Sequence, residues 1–339
     1  MKRNSILLGI LSMCLWVGIT SCSSDDSFDD SMDNMVRIHL SKTKTAQTKG
    51  YLDDAAKTED YEQAISKITV LVYEATGDGN LLLKHDASSK ELTSSKMTFL
   101  LPRGMEGKTL SFVAIANFTP TTIPSTLNGA FELLEEDCVA YNGKFAEVSA
   151  TALRTGGFVM SALAKDVTVS SKGATEVYMP LERTVAKVAI RTTISSDFSK
   201  KYSGSVKVTN VSLQNVSSKT KLIRTTLSGS TMYDDKGTAF SQSPGTSSAE
   251  NRSLFYAFEK NDGKAKVVID GIYDADGNFS TTKDQTSVTY SFDMNEQLNR
   301  NAYYRIDAQI QGLEGSECNM TMTLKEWAGP YSQEVTIGH

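Results

Sequence analysis

The chain has 339 residues, with 35 Lys and Arg against 40 Asp and Glu, and a formal net charge of -5. This mildly acidic balance offers no basic face for a nucleic acid, which excludes that class of partner. The length fits two domains of ordinary size. Abundant Ser and Thr, only 6 Pro and many β-branched runs favour an all-β sandwich fold.

Residues 1–21 are predicted to be an export signal. A short basic start precedes an apolar run from Ile6 to Ile19, which is shorter than the roughly 20 residues that a membrane span needs. Small residues then precede Cys22, as in a bacterial lipoprotein processing site. We therefore expect cleavage before Cys22 and acylation of its thiol, and nothing later in the chain is apolar for long enough to add a second anchor.

Residues 22–49 combine an acidic spacer with one predicted strand. The spacer, Ser23 to Asp30, is too polar and charged to fold by itself. In the strand, Val36, Ile38 and Leu40 alternate with polar residues, the period of a strand with one buried face. The plain interpretation is the first strand of a β-domain. The basic run that follows, up to Lys49 and Gly50, has the composition of a flexible tether.

The segment 50–182 is predicted to form the first β-sandwich domain. A helix or irregular loop is expected between Ser125 and Asn142, and a hairpin turn at Thr76 to Asn80. The strands are predicted at Ile65 to Tyr73, from Leu81 onward, Lys96 to Leu101, Leu110 to Asn117, Gly156 to Ser161 and Ala174 to Leu181.

The segment 183–339 is predicted to form a second β-sandwich domain. A long polar surface loop is expected from Ser228 to Asn251, and Val335 and Ile337 point to one side of a final alternating segment, 331–339. The strands are predicted at Leu181 to Ile190, Ser205 to Val216, Ser253 to Glu259, Lys264 to Tyr273, Ser287 to Asp293, Ala302 to Gln311 and Asn319 to Trp327.

The sequence gives little support for a catalytic site or a metal site. The histidines are His39, in the first strand, His85, near a turn, and His339, which is too few for a histidine-based triad or zinc site. Some pair always occurs among 40 acidic residues, and solvated surface charge is the simpler explanation. The run from Asp274 to Asn278 opens like a calcium loop but lacks the later Gly and Glu, so a hairpin turn is expected there. A bridge between the distant Cys138 and Cys318 is not expected. We therefore predict neither an enzyme nor a cofactor or metal.

Several motifs in one order resemble the FimA-type fimbrillins of Bacteroidetes, the subunits of type V pili. After the lipoprotein signal, the acidic spacer and the first strand come Phe112 to Asn117 (FVAIAN), Phe158 to Ser161 (FVMS), Leu181 to Val188 (LERTVAKV), Phe255 to Glu259 and Lys325 to Trp327 (KEW). This resemblance covers nearly the whole chain. It implies two transthyretin-like β-sandwich domains in tandem, export as a lipoprotein, removal of the first strand by a trypsin-like surface protease, and polymerisation by strand exchange.

Elementary energetics make such a mechanism reasonable. Removing a strand with three buried apolar side chains uncovers about 1.5–3 kcal/mol per side chain and about 1 kcal/mol per ladder hydrogen bond. The resulting groove must be refilled, and 331–339 of a neighbouring subunit is the expected donor strand, with Val335 and Ile337 as pocket fillers. The alternatives for 331–339 are a frayed tail or an ordinary edge strand.

The expected cleavage point departs from the family pattern. The fimbrillins are cut after an arginine, whereas this tether offers Lys42, Lys44 and Lys49. Lys49, before Gly50, occupies the matching place. The sequence therefore leaves two fimbrial roles open: a subunit that is cut after Lys49, or an uncut, lipid-anchored subunit at the pilus base. A third interpretation, a surface lipoprotein that binds glycan or host protein, has only Trp327 as a tryptophan platform beyond the signal.

Overall fold

The computed structural model describes residues 34–40, 60–142, 154–224, 238–243, 250–260, 264–294 and 297–327. The predicted lipidation site Cys22, the predicted cleavage site Lys49 and Gly50, and the predicted donor residues Val335 and Ile337 lie outside these ranges. Among the described helices, none combines the length and the apolar character that crossing a membrane requires.

The first half of the described chain contributes two sheets and three short helices. Its strands are Met35–His39 (β1), Ile68–Glu74 (β2), Leu81–Asp86 (β3), Lys96–Leu100 (β4), Thr109–Ala116 (β5), Leu134–Glu135 (β6), Met160–Thr168 (β7), Thr175–Tyr178 (β8) and Glu182–Arg183 (β9). Its helices are Asp60–Gln63 (α1), Ser89–Ser94 (α2) and Leu127–Phe131 (α3), with a 3-10 turn at Val139–Tyr141. One sheet has the strand order β4-β1-β8 and the other the order β3-β2-β5-β7-β9.

The second half contributes two four-stranded sheets. Its strands are Val185–Ile194 (β10), Ser205–Val216 (β11), Thr220–Lys221 (β12), Thr238–Gln242 (β13), Glu250–Phe258 (β14), Lys266–Asp274 (β15), Gln285–Asp293 (β16), Ala302–Ile310 (β17) and Cys318–Glu326 (β18), and its helix is Phe198–Lys201 (α4). The strand orders are β14-β10-β17-β18 and β13-β11-β15-β16. Short β12 reaches across to pair with β6 of the first half.

The position of a strand in its sheet explains its sequence. Central strands such as β5 (TLSFVAIA) are covered on both faces, and their residues are apolar almost throughout. Edge strands such as β4 (KMTFL) alternate between buried and exposed residues because one face meets water. The predicted all-β fold of two sandwiches in tandem is therefore confirmed.

The segment from Leu181 to Ile190, predicted as one strand, is divided between the two sandwiches. Glu182 and Arg183 pair with β7 of the first half, whereas β10, from Val185 onward, pairs with β14 and β17 of the second half. Sheet membership therefore changes at Thr184. The local pattern could not show this, because sheet membership depends on partner strands that lie far along the chain.

Two strand predictions need correction. The polar loop predicted from Ser228 to Asn251 contains β13, which pairs with β11, and its end already belongs to β14. Phe240 and Gln242 of β13 are buried, and the Gln242 amide bonds the backbone of Leu254, so tertiary pairing overrides a weak local signal. The strand predicted to end at Ser161 continues to Thr168, because β7 pairs along the length of β5.

The helical and turn predictions fared better. The segment from Ser125 to Asn142 contains α3, the two-residue strand β6 and the 3-10 turn, in line with a short helix within irregular chain. The predicted hairpin between β2 and β3 is confirmed. Helices α1, α2 and α4 were not predicted, since they have only four to six residues and are too short for a clear 3.6-residue period.

Candidate functional site

Strand β1 lies in the middle of its sheet. It runs antiparallel to β4 and parallel to β8, and among the described strands it alone joins β4 to β8. Further backbone bonds hold its ends: the Leu40 N–H donates to the Ser95 carbonyl at 3.1 Å, and the Met179 N–H donates to the His39 carbonyl at 2.8 Å. The first described strand is therefore the central strand of a sheet, and its two neighbours lie far along the sequence.

The inward side of β1 carries the three predicted apolar residues. Val36 and Ile38 are fully buried, and Leu40 is buried as well. Facing them across the ladder are Phe99 and Met97 of β4, in register with Val36 and Ile38. Each of the three side chains contributes about 1.5–3 kcal/mol by leaving water. Without β1, the sheet would have an apolar gap one strand wide, with a free hydrogen-bonding edge on β4 and another on β8. We call this gap the β1 groove.

The outward side of β1 is held by charge and ring stacking. Glu176 of β8 lies directly opposite Arg37 and forms an ion pair with it, and its second oxygen lies 2.6 Å from Nε2 of His39. The His39 ring stacks on Tyr178, with centroids 4.7 Å apart and planes at 15°. The hydrogen bond from His39, followed by the charge of Arg37, lowers the pKa of the Glu176 carboxyl below its ordinary value. One residue of β8 therefore holds two side chains of β1.

Helix α2 fixes the other wall of the groove. The Glu91 carboxylate accepts the backbone N–H of Thr98 in β4 at 2.9 Å, and it closes a capping box with Ser88. His85 stacks on Phe99 with centroids 4.7 Å apart and bonds the same carboxylate. Partial burial alone would raise the pKa of Glu91, but the N–H donors of Ser88 and Thr98 outweigh it and lower that pKa to about 2. His85 thus has a structural role.

We expect Glu91 to make the protein more sensitive to acid. Because the folded-state pKa lies below the ordinary value of 4.5, the stabilisation is complete above about pH 4.5 and is lost as the pH falls toward 2. Thermal unfolding from pH 7 to 2 should show that Glu91→Gln lowers the melting temperature at neutral pH and that the difference from wild type shrinks in acid. Glu106→Gln, in the exposed turn after β4, is the matched control. An undiminished difference at pH 2 would contradict this role for Glu91.

A second cluster of functional interest lies between the two sandwiches, and the sequence motifs converge on it. Phe158 packs edge-on against Tyr256, with centroids 4.8 Å apart, and against Trp327. Arg183 lies over the Trp327 ring, 4.2 Å from its centroid. Since Trp327 is completely buried, it offers no platform for a sugar. The fimbrillin-like motifs therefore build a joint between domains, which we call the junction.

A buried carboxylate at the junction joins both halves of the chain. Glu62 of α1 is fully buried, and its Oε1 lies 2.7 Å from Nζ of Lys187 in β10. The Tyr256 hydroxyl donates to the same oxygen at 2.5 Å, and Tyr61 and Tyr256 share a hydrogen bond of 2.8 Å. Burial, and then the nearby Glu62 charge, raise the pKa of Tyr256 well above its ordinary value. The first described residues after the tether are thus fixed to the second sandwich.

An arm of the second half, residues 217–224, completes the junction. Its strand β12 pairs with β6, and the Leu222 N–H donates to the Leu133 carbonyl at 2.8 Å. Arg300 binds this arm by hydrogen bonds: it donates to the Leu222 carbonyl and to Oγ1 of Thr220, both at 3.0 Å. Its guanidinium also pairs with the buried carboxylate of Glu259. The arm is therefore anchored by a buried ion pair.

The remaining predicted features have ordinary structural explanations. Asp274, Asp276 and Asp284 bring carboxylate oxygens within 4.8 Å of one another, but they lie in the predicted hairpin between β15 and β16. The N–H of Asn278 already donates to both Asp274 and Asp276 at 2.8 Å. Cys138 is a buried free thiol and Cys318 a partly exposed one.

Sequence reasoning located the inward side of β1 but missed what holds it. Glu176 and Tyr178 could have been suspected only from the alternation of β8, which places both on its exposed face. Glu62 and Arg300 carried no signal, since lone charged residues usually lie on the surface. The Lys187 position, inside an apolar run, was the one available hint.

The family follows from comparison with known proteins. The family model of the fimbrillin-A associated anchor proteins Mfa1 and Mfa2 matches residues 29–328. The chain belongs to this family, which confirms the resemblance to fimbrillins. No curated protein sequence matches the chain.

Solved structures share the fold. A candidate cell adhesion protein from Parabacteroides distasonis has 14% identity and a TM-score of 0.57, and the match covers 89% of this chain and 99% of that one. A fimbrilin from Porphyromonas gingivalis has 13% identity and a TM-score of 0.56, covering 87% and 98%. The tip fimbrial protein Mfa3 of the same species, with a C-terminal truncation, has 15% identity and a TM-score of 0.51, covering 86% and 98%.

Proposed function

We propose that this protein is a structural subunit of a type V pilus whose β1 groove is filled by a strand from a neighbouring subunit after β1 is removed. One observation carries the proposal: the first strand of the chain is fully buried on its inward side, yet it lies between β4 and β8 and belongs to a segment separated from the rest by a basic tether. The family and the similar structures support a fimbrial, non-catalytic role at the cell surface.

The precursor is exported and anchored in the outer membrane by lipid on Cys22. A trypsin-like surface protease then cuts between Lys49 and Gly50, and residues 22–49 leave with β1. The free energy uncovered is a large part of the 5–15 kcal/mol that stabilises a typical domain, and the free edges of β4 and β8 would otherwise promote aggregation. An incoming strand removes both problems.

The strand that this subunit donates is 331–339. It begins four residues after Trp327, which the junction buries, so the chain that leads to the donor segment would leave the molecule from a fixed point. Val335 and Ile337 then fill the groove of the next subunit in the way that Val36 and Ile38 fill the groove here. Because this contact is head-to-tail, it propagates as an open filament instead of closing into a dimer.

Limited trypsin digestion of the purified chain tests the proposal. We expect mass spectrometry to find a new N-terminus at Gly50, and gel electrophoresis to show a ladder of SDS-resistant oligomers after the cut. A Lys42→Ala/Lys44→Ala/Lys49→Ala variant should give no new N-terminus at Gly50 and no ladder.

Truncation of the last nine residues separates cleavage from assembly. This variant should be cut at the same bond as the full chain and should form no ladder. Oligomers that grow equally well without residues 331–339, or a cut chain that stays monomeric and stable, would contradict strand exchange.

A second fimbrial role is favoured by two specific observations. The tether carries no arginine, the residue after which the fimbrillins are cut, and the matching family is described as anchor proteins. An uncut subunit would keep β1 and the lipid on Cys22 and would hold the pilus base in the membrane. The N-terminus of the protein isolated from cells decides between the roles: acylated Cys22 indicates the anchor, and Gly50 indicates a stalk or tip subunit.

A further inference from the structure

The outward wall of the β1 groove carries features that can select its occupant. The inward side accepts any strand with alternating apolar residues, because burial of apolar surface is not directional. The outward side instead presents a carboxylate and an exposed ring on the same edge of β8, Glu176 and Tyr178. Selection among strands of similar apolar pattern would therefore depend on these two side chains.

The two positions of the occupant that meet this wall have different requirements. At the place of Arg37, the neighbours are Glu176 on one side and Thr98 on the other. A basic side chain there forms a cross-strand ion pair, and an acidic one meets a like charge. At the place of His39, the neighbours are Tyr178 and Lys96. A planar ring fits best there, because it stacks on Tyr178 without adding a permanent charge beside Lys96.

The C-terminal segment of this chain does not meet these requirements. The inward side of β1 has three places, those of Val36, Ile38 and Leu40. Val335 and Ile337 can take two adjacent ones of these places in four registers, two in each strand direction. In two of them, Glu334 and Thr336 take the outward places of Arg37 and His39 in one order or the other. In the remaining two, Thr336 and Gly338 take those places. No register supplies a basic residue or a ring.

We propose that Glu176 and Tyr178 select a strand with an Arg or Lys at the place of Arg37 and a planar ring at the place of His39, and that, where subunits are mixed, the preferred occupant comes from a different fimbrial subunit and not from a second copy of this chain. This inference rests on the proposed function, since it needs the groove to be filled from outside. The purified chain alone can still fill its groove with its own tail, but a better-matched strand from another subunit is expected to displace that tail.

Competition between peptides tests the selection. The full chain is cut once in the tether with trypsin, and fluorescence polarisation follows a labelled peptide of residues 34–41 as it replaces the resident strand. An unlabelled Arg37→Glu peptide should compete about five-fold less well than the wild-type peptide. Against a Glu176→Lys protein this order should reverse. Glu176→Gln, which keeps the size of the side chain, should give an intermediate result.

The tail peptide provides a second measurement. Thr336 occupies one of the two outward places in all four registers, so a Thr336→Arg version of the 331–339 peptide should compete better than the natural sequence for the wild-type groove. The gain should disappear with Glu176→Lys. Glu106→Lys, which makes the same charge change in the exposed turn after β4, should leave every preference as in wild type.

The outcomes separate this inference from the proposed function. The selection alone is overturned if the wild-type peptide exchanges but its affinity does not depend on the charges at positions 37 and 176. It is also overturned if the natural tail peptide competes as well as the wild-type β1 peptide. Failure of every peptide to enter the cut chain overturns both. A charge preference that follows Glu176 and ignores Glu106 supports the selection.

Discussion

Replacing Lys187 by methionine is expected to lower the free energy of unfolding by about 3–5 kcal/mol, because it removes the ammonium group that pairs with the buried Glu62 carboxylate. Both side chains are at most 1% exposed, and Nζ lies 2.7 Å from Oε1. The Tyr256 hydroxyl would still donate to Glu62, but one neutral donor does not replace an ammonium group. Urea denaturation at pH 7 measures the change.

Two controls show whether the buried charge is the cause. A Glu62→Gln/Lys187→Met double variant should recover most of the loss, since a neutral amide can still accept from Tyr256. Lys200→Met should leave the stability almost unchanged, because the pair of Lys200 and Asp197 is exposed, with 75% and 62% of the two side chains accessible. A double variant no more stable than Lys187→Met would show that packing at the junction, and not charge, explains the effect.

The second large effect is expected for Arg300→Met. This change leaves the buried Glu259 carboxylate without the ion pair to Arg300. It also removes the hydrogen bonds that Arg300 donates to the Thr220 hydroxyl and the Leu222 carbonyl. We expect a loss of about 3–5 kcal/mol and a looser arm at residues 217–224. Thermal unfolding reports the first change, and faster tryptic cleavage after Lys221 and Arg224 reports the second.

A surface pair supplies the comparison for Arg300. Arg252 and Glu250 form an ion pair with 49% and 36% of their side chains exposed, so Arg252→Met should cost less than about 0.5 kcal/mol. Tryptic cleavage of the arm should be unaffected in that variant. If Arg300→Met destabilises the protein without faster cleavage at the arm, Arg300 contributes to stability but does not anchor the arm.

The junction and the β1 groove have separate consequences for the proposed assembly. The junction clamps Tyr61 and Glu62 through Tyr256 and Lys187, so a cut in the tether leaves the new N-terminal segment attached to the second sandwich. The β1 groove, in contrast, depends on hydrogen bonds and burial that β1 alone supplies to β4 and β8. The molecule can therefore exchange one strand while the two sandwiches keep their contact.

The sequence indicated the strands and their buried faces because that information is local. Strand β11, Ser205–Val216, was predicted with the bounds it has, and the inward residues of β1 were read from alternation alone, since a period of two is visible within five residues. Strand β13 was missed because its polar composition gives no such signal. Its place is decided by β11, which pairs with it.

The sequence by itself thus determined the all-β class, the fimbrillin resemblance and the apolar side of β1. Only the tertiary structure decided which strands flank β1, that Glu176 meets Arg37 from 139 positions away, and that Glu62 meets Lys187 inside the junction. The physical reason is that ion pairs and sheet order depend on residues distant in the chain, and any of many carboxylates could have served each cation. Local periodicity does not indicate which distant residues pair, because those pairs form only when the chain packs into its tertiary structure.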